Sequence, residues 1–443
     1  MSDPEGPEPR SEPIAQVERP VPGGESLARL PDGKVLFVAG AVAGDSIRVL
    51  ASSEHKGFAR ATRWELVSAS PDRREPPCPI AEQCGGCDWM KVDESVQAAH
   101  KLELVRDALR RVGKLQNPPP IDWIGSAASL GYRSRIRLHI ATDGALCYRA
   151  RASHELVPVA KCVVASADVN RALERVTAFF RDGAAALARR LIGEVELRAL
   201  APKPELRLIA RAPLSKSEVE RLGGWVERLR TEFVVSLPGA DLDPTSLRQV
   251  VPLQRQDTAI HVASRISPTV FTQVNWEINE LLVRDVLATV RERGHTSFVD
   301  LYTGNGNLAL PLLAAGLRGV GIEFNAEAIA CAETSAREQH LDGVFRAADV
   351  ATEVRRMAKR KERFDLVLID PPRAGAGKLM SEIAQLTRRD LFYCACDPVS
   401  LARDLRWLLA NGFELLRLSA YDMFPQTHHV ETSAWLTRAS GAR

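Results

Sequence analysis

The sequence has no run of about 18 apolar residues, the length a membrane-spanning helix requires. This argues against a membrane span. It has no internal repeat, and its low-complexity content is limited to the first residues. That lead, MSDPEGPEPRSEP, is acidic and proline-rich and lacks the apolar stretch of a secretory signal. Residues 1–12 are expected to be disordered and the protein cytoplasmic, monomeric and without a membrane partner. Charge of one sign is also missing: 59 Lys and Arg against 56 Asp and Glu leave a net charge of +3. Composition alone does not announce a nucleic-acid binder, so any such surface must come from local clustering of cations.

Cysteine is plentiful by comparison, with eight residues: Cys78, Cys84, Cys87, Cys147, Cys162, Cys331, Cys394 and Cys396. In a reducing compartment these do not read as a disulfide framework. Clustered cysteines there serve as metal ligands or nucleophiles. Cys78, Cys84 and Cys87 form C-x5-C-G-G-C, and Gly85-Gly86 lets the chain wrap closely round a metal centre. Cys162 supplies a fourth thiolate, with Cys147 as the alternative. Four thiolates suit zinc or an iron–sulfur cluster, and the five-residue gap is wider than a zinc knuckle's usual two to four.

The 443 residues imply several domains. Residues 13–70 read as a small β domain, with apolar stretches such as Val35–Val38 and Ile47–Leu50 between glycine turns. About five short strands suit an OB-like barrel, decorated by Arg29, Lys34, Arg48, Lys56, Arg60 and Arg63. Residues 71–262 read as a mixed α+β region. It has a helix near 93–112 and strands at Arg133–Ile140, Glu194–Leu200 and Glu205–Ala210. From 263 to 443 strand and helix alternate, the pattern of a doubly wound, Rossmann-like α/β sheet. Its strands are expected at Phe298–Tyr302, Gly319–Phe324, Val344–Ala347, Phe364–Asp370 and Leu391–Cys396, with Glu414–Ser419 and Glu431–Thr437 completing it. Helices are expected at Ala326–Gln339 and Val399–Ala410.

The loop Asp300-Leu301-Tyr302-Thr303-Gly304-Asn305-Gly306-Asn307 follows the first of these strands. Its glycines permit a sharp turn and close approach of a ligand, and Glu323 ends the next strand where a carboxylate can bind both ribose hydroxyls. The third glycine of a dinucleotide fingerprint is absent, since Ala309 stands there. A dinucleotide and S-adenosylmethionine both remain open on this loop alone. Asp349 follows the third strand, where an adenine would sit. Asp370-Pro371-Pro372-Arg373 follows the fourth, and the arginine, in place of an aromatic, disfavours methylation of an amino group.

Cys396 ends the fifth strand immediately before a helix, where the helix dipole is expected to lower the thiol's pKa. Cys394 lies on the same side of the strand, so alternation alone does not choose between them. Glu431, in His428-His429-Val430-Glu431-Thr432, is a candidate general base. Of the two adjacent histidines, at most one is expected to face the pocket.

Together these motifs resemble the RNA uracil-5-methyltransferase family whose members carry a TRAM domain and a [4Fe-4S] cluster. The likeness runs from about residue 13 to the end of the chain. The TRAM pattern is similar in Asp32–Val38 and Ala43-Gly44-Asp45, the cluster motif in Cys78, Cys84–Cys87 and Ser153–Leu156 with Cys162. Phe271-Thr272-Gln273-Val274-Asn275 matches the family's glutamine motif. The resemblance implies that Gln273, Tyr302, Asn307, Glu323, Asp349 and Asp370 line an S-adenosylmethionine pocket. It implies that Cys78, Cys84, Cys87 and Cys162 hold the cluster, that Cys396 is the nucleophile and that Glu431 is the base. Ribosomal RNA is the favoured partner, with transfer RNA as the alternative. The chemistry is consistent with a thiol, because carbon 5 of uracil becomes nucleophilic once a thiolate adds to carbon 6. A cytosine methyltransferase and a non-catalytic iron–sulfur RNA-binding protein are the competing readings. Two residues depart from the pattern: Asp397, where many relatives have Asn, and Thr303, where many have Cys. Asp397 is expected to oppose thiolate formation unless it is itself hydrogen-bonded.

Overall fold

A computed structural model describes residues 12–199, 203–237, 248–254 and 259–439. The expected disordered lead lies outside these residues except for Glu12, as does Leu200 at the end of one expected strand. The chain forms two compact units. One takes residues up to Glu82, Gly86–Leu104 and the short piece Gln426–His429; the other takes Gln83–Gly85, Val105–Pro425 and the chain from Val430 on.

The first unit contains a closed five-stranded barrel: β1 (Ile14–Pro20), β2 (Glu25–Arg29), β3 (Val35–Ala39), β4 (Ser46–His55) and β5 (Phe58–Ser68). Alternation drives it, because every second residue of β1 and β3 turns inward. Ala15, Val17, Leu36, Val38, Ile47 and Ala59 fill the interior. Four of the six flagged cations pair with carboxylates: Arg29 with Glu18, Lys34 with Glu54, Arg48 with Glu65 and Arg60 with Glu25. Arg60 also lies over the rings of Phe37 and Phe58.

Gln426 anchors its short piece within this unit. It is fully buried, its side-chain oxygen accepts from Arg74 at 2.7 Å and Gln97 at 3.1 Å, and its carbonyl accepts from the Trp89 amide. His428 and His429 precede the last strand of the chain. Their rings lie side by side, 4.0 Å between centroids, and His428 Nδ1 is 2.6 Å from Asp88.

Helix α1 (Glu94–Arg111) leads to β6 (Ile121–Ile124). A six-stranded sheet follows, built from β7 (Arg135–Ile140), β8 (Leu146–Arg149), β9 (Leu156–Pro158), β10 (Ile192–Arg198), β11 (Glu205–Ala210) and β12 (Val234–Ser236), in the order β12-β11-β10-β7-β8-β9. Helices α2 (Ala167–Arg181), α3 (Ala186–Leu191) and α4 (Lys216–Arg230) accompany it, and β13 (Arg248–Gln254) pairs with β14 (Ala259–Arg265) as a hairpin.

Helix α5 (Trp276–Arg293) opens the alternating part of the second unit. It continues as β15 (Ser297–Leu301), α6 (Ala309–Ala314), β16 (Arg318–Glu323), α7 (Ala326–Glu338), β17 (Val344–Ala347), α8 (Val350–Lys359), β18 (Phe364–Ile369), α9 (Met380–Leu386), β19 (Thr387–Ala395), α10 (Pro398–Ala410), β20 (Phe413–Tyr421) and β21 (Glu431–Arg438). The sheet order is β17-β16-β15-β18-β19-β21-β20-β6, parallel except for β21, which runs against both neighbours. The sequence reading had not placed β6 in this sheet; four residues are too few to show a period, and its pairing with β20 is a tertiary event. Phe298, Leu366, Leu368, Phe392 and Trp435 are buried in its core, the last two with ring centroids 4.9 Å apart. Strand order reverses between β15 and β18, so a crevice opens at their carboxyl ends. The expected strands and helices of this region are all present, within a few residues of their expected ends.

Candidate active site

Two groups of side chains gather along the carboxyl edge of the sheet. The first lies at the ends of β15, β16 and β17. Tyr302 takes a left-handed backbone, φ +65°, and Gly304 and Gly306 follow at +57° and +87°. A side chain on Gly304 would project into open space, so the backbone there is bare toward a ligand. Glu323 accepts from the Gly304 amide at 3.3 Å and the Asn325 amide at 2.9 Å, which fixes the carboxylate beside the loop. The Tyr302 phenol is pushed up by burial and by the charges of Asp349 and Glu323, so these three converge. Asp349 is exposed and caps α8, accepting from the Thr352 amide at 2.8 Å. Phe324 was not singled out from sequence; it is 76% exposed directly after Glu323.

Asn307 is engaged with Asn279 in a reciprocal amide pair, 2.9 Å each way. Gln273 belongs to a third group, the segment 267–275. Arg198, buried on β10, donates to the carbonyls of Ser267, Pro268 and Val270 and so grips that segment. Ser134, immediately before β7, donates to the Val274 carbonyl. Asn279 and Arg198 escaped sequence reasoning, because neither lies in a motif and their partners are distant in the chain.

The second group surrounds Cys396. The antiparallel register pairs Ala395 with Thr432, so its continuation by one residue sets Glu431 opposite Cys396. Glu431 is 4% exposed, well inside the sheet edge. Its Oε1 is 3.4 Å from Cys394 Sγ, and one ligating atom each of Asp370, Cys394 and Glu431 lie within 4.8 Å of one another. Burial pushes the Asp370 and Glu431 carboxyls up, and repulsion from Asp370 adds to the rise at Glu431. Asp300, at the switch point, rises to about 7 through burial, although the Thr303 hydroxyl donates to it at 2.6 Å. That contact gives Thr303 a role in holding the loop.

The two cysteines differ. Cys394 is 2% exposed and pointed at Glu431, while Cys396 lies just past the strand and is half-buried. The helix dipole was expected to lower the Cys396 thiol; the balance runs the other way. Burial, then Glu431 and Asp370, push it up to about 11, and Arg373 pulls it down. Asp397, expected to oppose the thiolate unless hydrogen-bonded, is hydrogen-bonded. It is the N-cap of α10 and accepts from the Val399 and Ser400 amides, so its charge, not the thiol's, occupies the helix end.

The four cysteines expected to hold a cluster are distributed over both units. Cys78 and Cys87 sit half-buried in loops of the first. In the second, Cys84 bridges to Ala150, and Cys84 and Cys162 both act on the Tyr148 phenol, which hydrogen-bonds to Cys162. Asn170 fixes the Cys162 backbone at both its amide and its carbonyl. A Cβ on Gly85 would meet the Arg149–Arg151 backbone at 3.2–3.3 Å, which accounts for the glycine. Cys147, the alternative fourth ligand, is fully buried, and its thiol lies 3.7 Å from the Ala145 carbonyl and is raised by burial.

A doubly wound sheet, a glycine loop answered by an acidic strand end, and an N-terminal barrel define a class I S-adenosylmethionine-dependent methyltransferase with a TRAM-like domain. The model of the tRNA (uracil-5-)-methyltransferase family matches residues 124–439, and the chain belongs to that family. It is an RNA uracil-5-methyltransferase. The 23S rRNA (uracil(1939)-C(5))-methyltransferase RlmD of Edwardsiella ictaluri is 33% identical, with 94% of each chain covered. That of Acidithiobacillus ferrooxidans is 32% identical over 94% of this chain and 95% of its own. The tRNA (uracil-54, C5)-methyltransferase of Pyrococcus abyssi, solved with S-adenosyl-L-homocysteine, shares the fold at a TM-score of 0.68 and 22% identity, covering 95% of this chain and all of that one. Among the described residues, no helix is long and apolar enough to cross a membrane.

Proposed function

We propose that the chain methylates carbon 5 of a uridine in 23S ribosomal RNA, with Cys396 as nucleophile and Glu431 as base. The observation that carries the catalytic assignment is the pairing of β19 with β21, whose register sets a buried carboxyl opposite a half-buried thiol. Cys396 adds to carbon 6 of a uracil flipped out of its stack, and carbon 5 then takes the methyl group of S-adenosylmethionine. Glu431 removes the carbon 5 proton and Cys396 leaves. Gln273, Tyr302, Asn307, Glu323, Asp349 and Asp370 are assigned to the cofactor pocket. The convergence of Tyr302, Glu323 and Asp349 beside a bare glycine loop supports this for the adenosine end. Ribosomal over transfer RNA rests on the names of the full-length relatives.

The cysteines fit an iron–sulfur cluster in residue type and in the closeness of Cys84 and Cys162 to Tyr148. We assign Cys78, Cys84, Cys87 and Cys162 as ligands of a [4Fe-4S] cluster within a central domain, 71–262. Residues 13–70 form the RNA-binding barrel and 263–443 the catalytic domain of a cytoplasmic monomer. Methyl transfer moves no electrons between centres, so the cluster's contribution is to shape the RNA surface. Unchanged RNA affinity after cluster removal would refute that role.

Mass-spectrometric mapping of methylated uridines in ribosomal and transfer RNA, with and without the protein, tests the whole reading. A single 5-methyluridine lost from 23S RNA is the expected result. A site lost from transfer RNA, or 5-methylcytidine in its place, overturns the substrate.

A further inference from the structure

The loop after β18 is held from behind by side chains that no step above uses. Asp404, on α10, is 1% exposed. Its Oδ2 accepts the Ala376 backbone N–H at 3.0 Å and the Tyr393 hydroxyl at 2.6 Å, and its Oδ1 accepts Arg403 Nε at 2.8 Å. The Ala376 N–H also reaches the Tyr393 oxygen at 3.2 Å, and Arg403 donates to the Ala374 carbonyl at 2.9 Å. The fit leaves no room. Gly375 has φ +73°, and a Cβ there would fall 2.5 Å from the Arg403 guanidinium and 2.8 Å from Asp404 Oδ2. One on Gly377 would fall 2.9 Å from Asp404 Oδ1.

Both anchors belong to the elements whose junction carries Cys396. Tyr393 is three residues before it on β19, on the opposite face of the strand. Asp404 is on the helix that starts just after it. Three residues before Ala376 stands Arg373. Its guanidinium is the positive charge that favours the Cys396 thiolate, against Glu431 of β21 and Asp370 of the same loop, while Asp397 is committed to the helix cap. Cys394 shares the thiol's strand.

We propose that Asp404 is a positioning residue for methyl transfer: by tying the Ala376 amide to Tyr393 and α10, it fixes the loop that carries Asp370 and Arg373 to the two elements that flank Cys396. The proposal rests on Cys396 being the nucleophile. Asp404 touches neither substrate nor cofactor. Misplacement of a reacting group by about 1 Å costs on the order of 100-fold in rate.

The test compares the full-length holoenzyme with its Asp404→Asn and Tyr393→Phe variants. Three quantities are read: the rate of covalent adduct formation with a 5-fluorouridine RNA, the pH dependence of iodoacetamide alkylation at the Cys396 peptide by mass spectrometry, and the affinity for S-adenosylhomocysteine. In Asp404→Asn, adduct formation should slow by about 10- to 100-fold. The alkylation profile should move to higher pH by about 0.5 to 1, because the loop that carries the Arg373 cation is no longer fixed beside the thiol's strand and helix. S-adenosylhomocysteine affinity should stay within about twofold. Tyr393→Phe, which removes one of the two ties, should shift both readouts in the same direction by less; if Asp404→Asn does not fold, this variant decides. Adduct rate and alkylation profile equal to wild type would overturn the proposal, as would their loss together with S-adenosylhomocysteine affinity, which marks a structural role. Absence of any adduct in the wild type would instead overturn the nucleophile assignment.

Discussion

The two edges of the large sheet treat buried acids in opposite ways. At the amino edge, Asp390 accepts from Arg293 at 2.8 Å and lies 2.6 Å from His295. Burial would raise this carboxyl, but His295, Arg293 and Thr437 outweigh it and hold it well below the usual range. Asp365 is likewise held down to about 2 by Thr296 and Arg388 against the effect of burial. At the carboxyl edge, Asp300 and Glu431 are buried and Asp370 half-buried, none pairs with a cation among the described residues, and all three are raised. Partnered acids build the fold. Buried acids without a cationic partner cost stability, and such groups cluster where a substrate will use them.

The comparison is tested most severely at the carboxyl edge. Cys396→Ala should abolish turnover in a methyl-transfer assay and leave S-adenosylhomocysteine affinity unchanged, because the thiol lies outside the Tyr302–Glu323–Asp349 group. Retained turnover would pass the nucleophile's role to Cys394. Next in size, Glu431→Gln should slow turnover by about 100- to 10,000-fold, the usual contribution of a general base. A protein–RNA adduct should accumulate on a denaturing gel, since addition proceeds and elimination does not.

At the amino edge, Asp390→Asn should destabilise the fold by about 3 kcal/mol at pH 7, read by urea denaturation, because Arg293 and His295 lose a buried partner. The sign with pH follows from the depressed carboxyl. Its stabilisation is full above the unfolded value of about 3.9 and fades as pH falls through the folded one. Equal stability of mutant and wild type at pH 7 would erase the contrast between the edges. Glu431→Gln should do the reverse at pH 8, stabilising the fold by about 1 kcal/mol. A carboxyl raised on folding loses stability as pH rises from its unfolded to its folded pKa.

The smallest effect concerns the thiol. With its pKa near 11, iodoacetamide alkylation of Cys396 in the free enzyme should climb throughout pH 8 to 10. In Glu431→Gln the profile should move to lower pH, because the carboxylate that opposes the thiolate is gone. A plateau below pH 8 in the wild type would restore the helix dipole as the dominant influence.

Much of this was legible in the chain. Period and turn chemistry give the barrel and the alternating strands, because burial of one strand face or one helix stripe is written locally as alternation. The end of Leu391–Cys396 and the start of Glu431–Thr437 were both visible, and so was each catalytic candidate. The protonation balance was not. Cys396 read locally as a thiol at a helix N-terminus, but Asp397 takes that helix end, and two carboxyls from other strands approach the thiol. The partner of the histidines was not legible either: His428 answers to Asp88, 340 residues away in the chain.

By itself, then, the sequence determined the identities: a barrel, a doubly wound sheet, a thiol before a helix, a carboxyl on the last strand and four clustered or conveniently placed cysteines. These are properties of residue type and short-range pattern. Tertiary structure decided what each group does next to the others. Antiparallel β21 lies between β19 and β20, which brings Glu431 to Cys396. The insertion of β6 at the sheet edge, the grip of Arg198 on segment 267–270 and the Asp404 tie are likewise contacts between distant segments. Electrostatic interaction depends on distance and on excluded water, and neither is written in the order of residues along the chain.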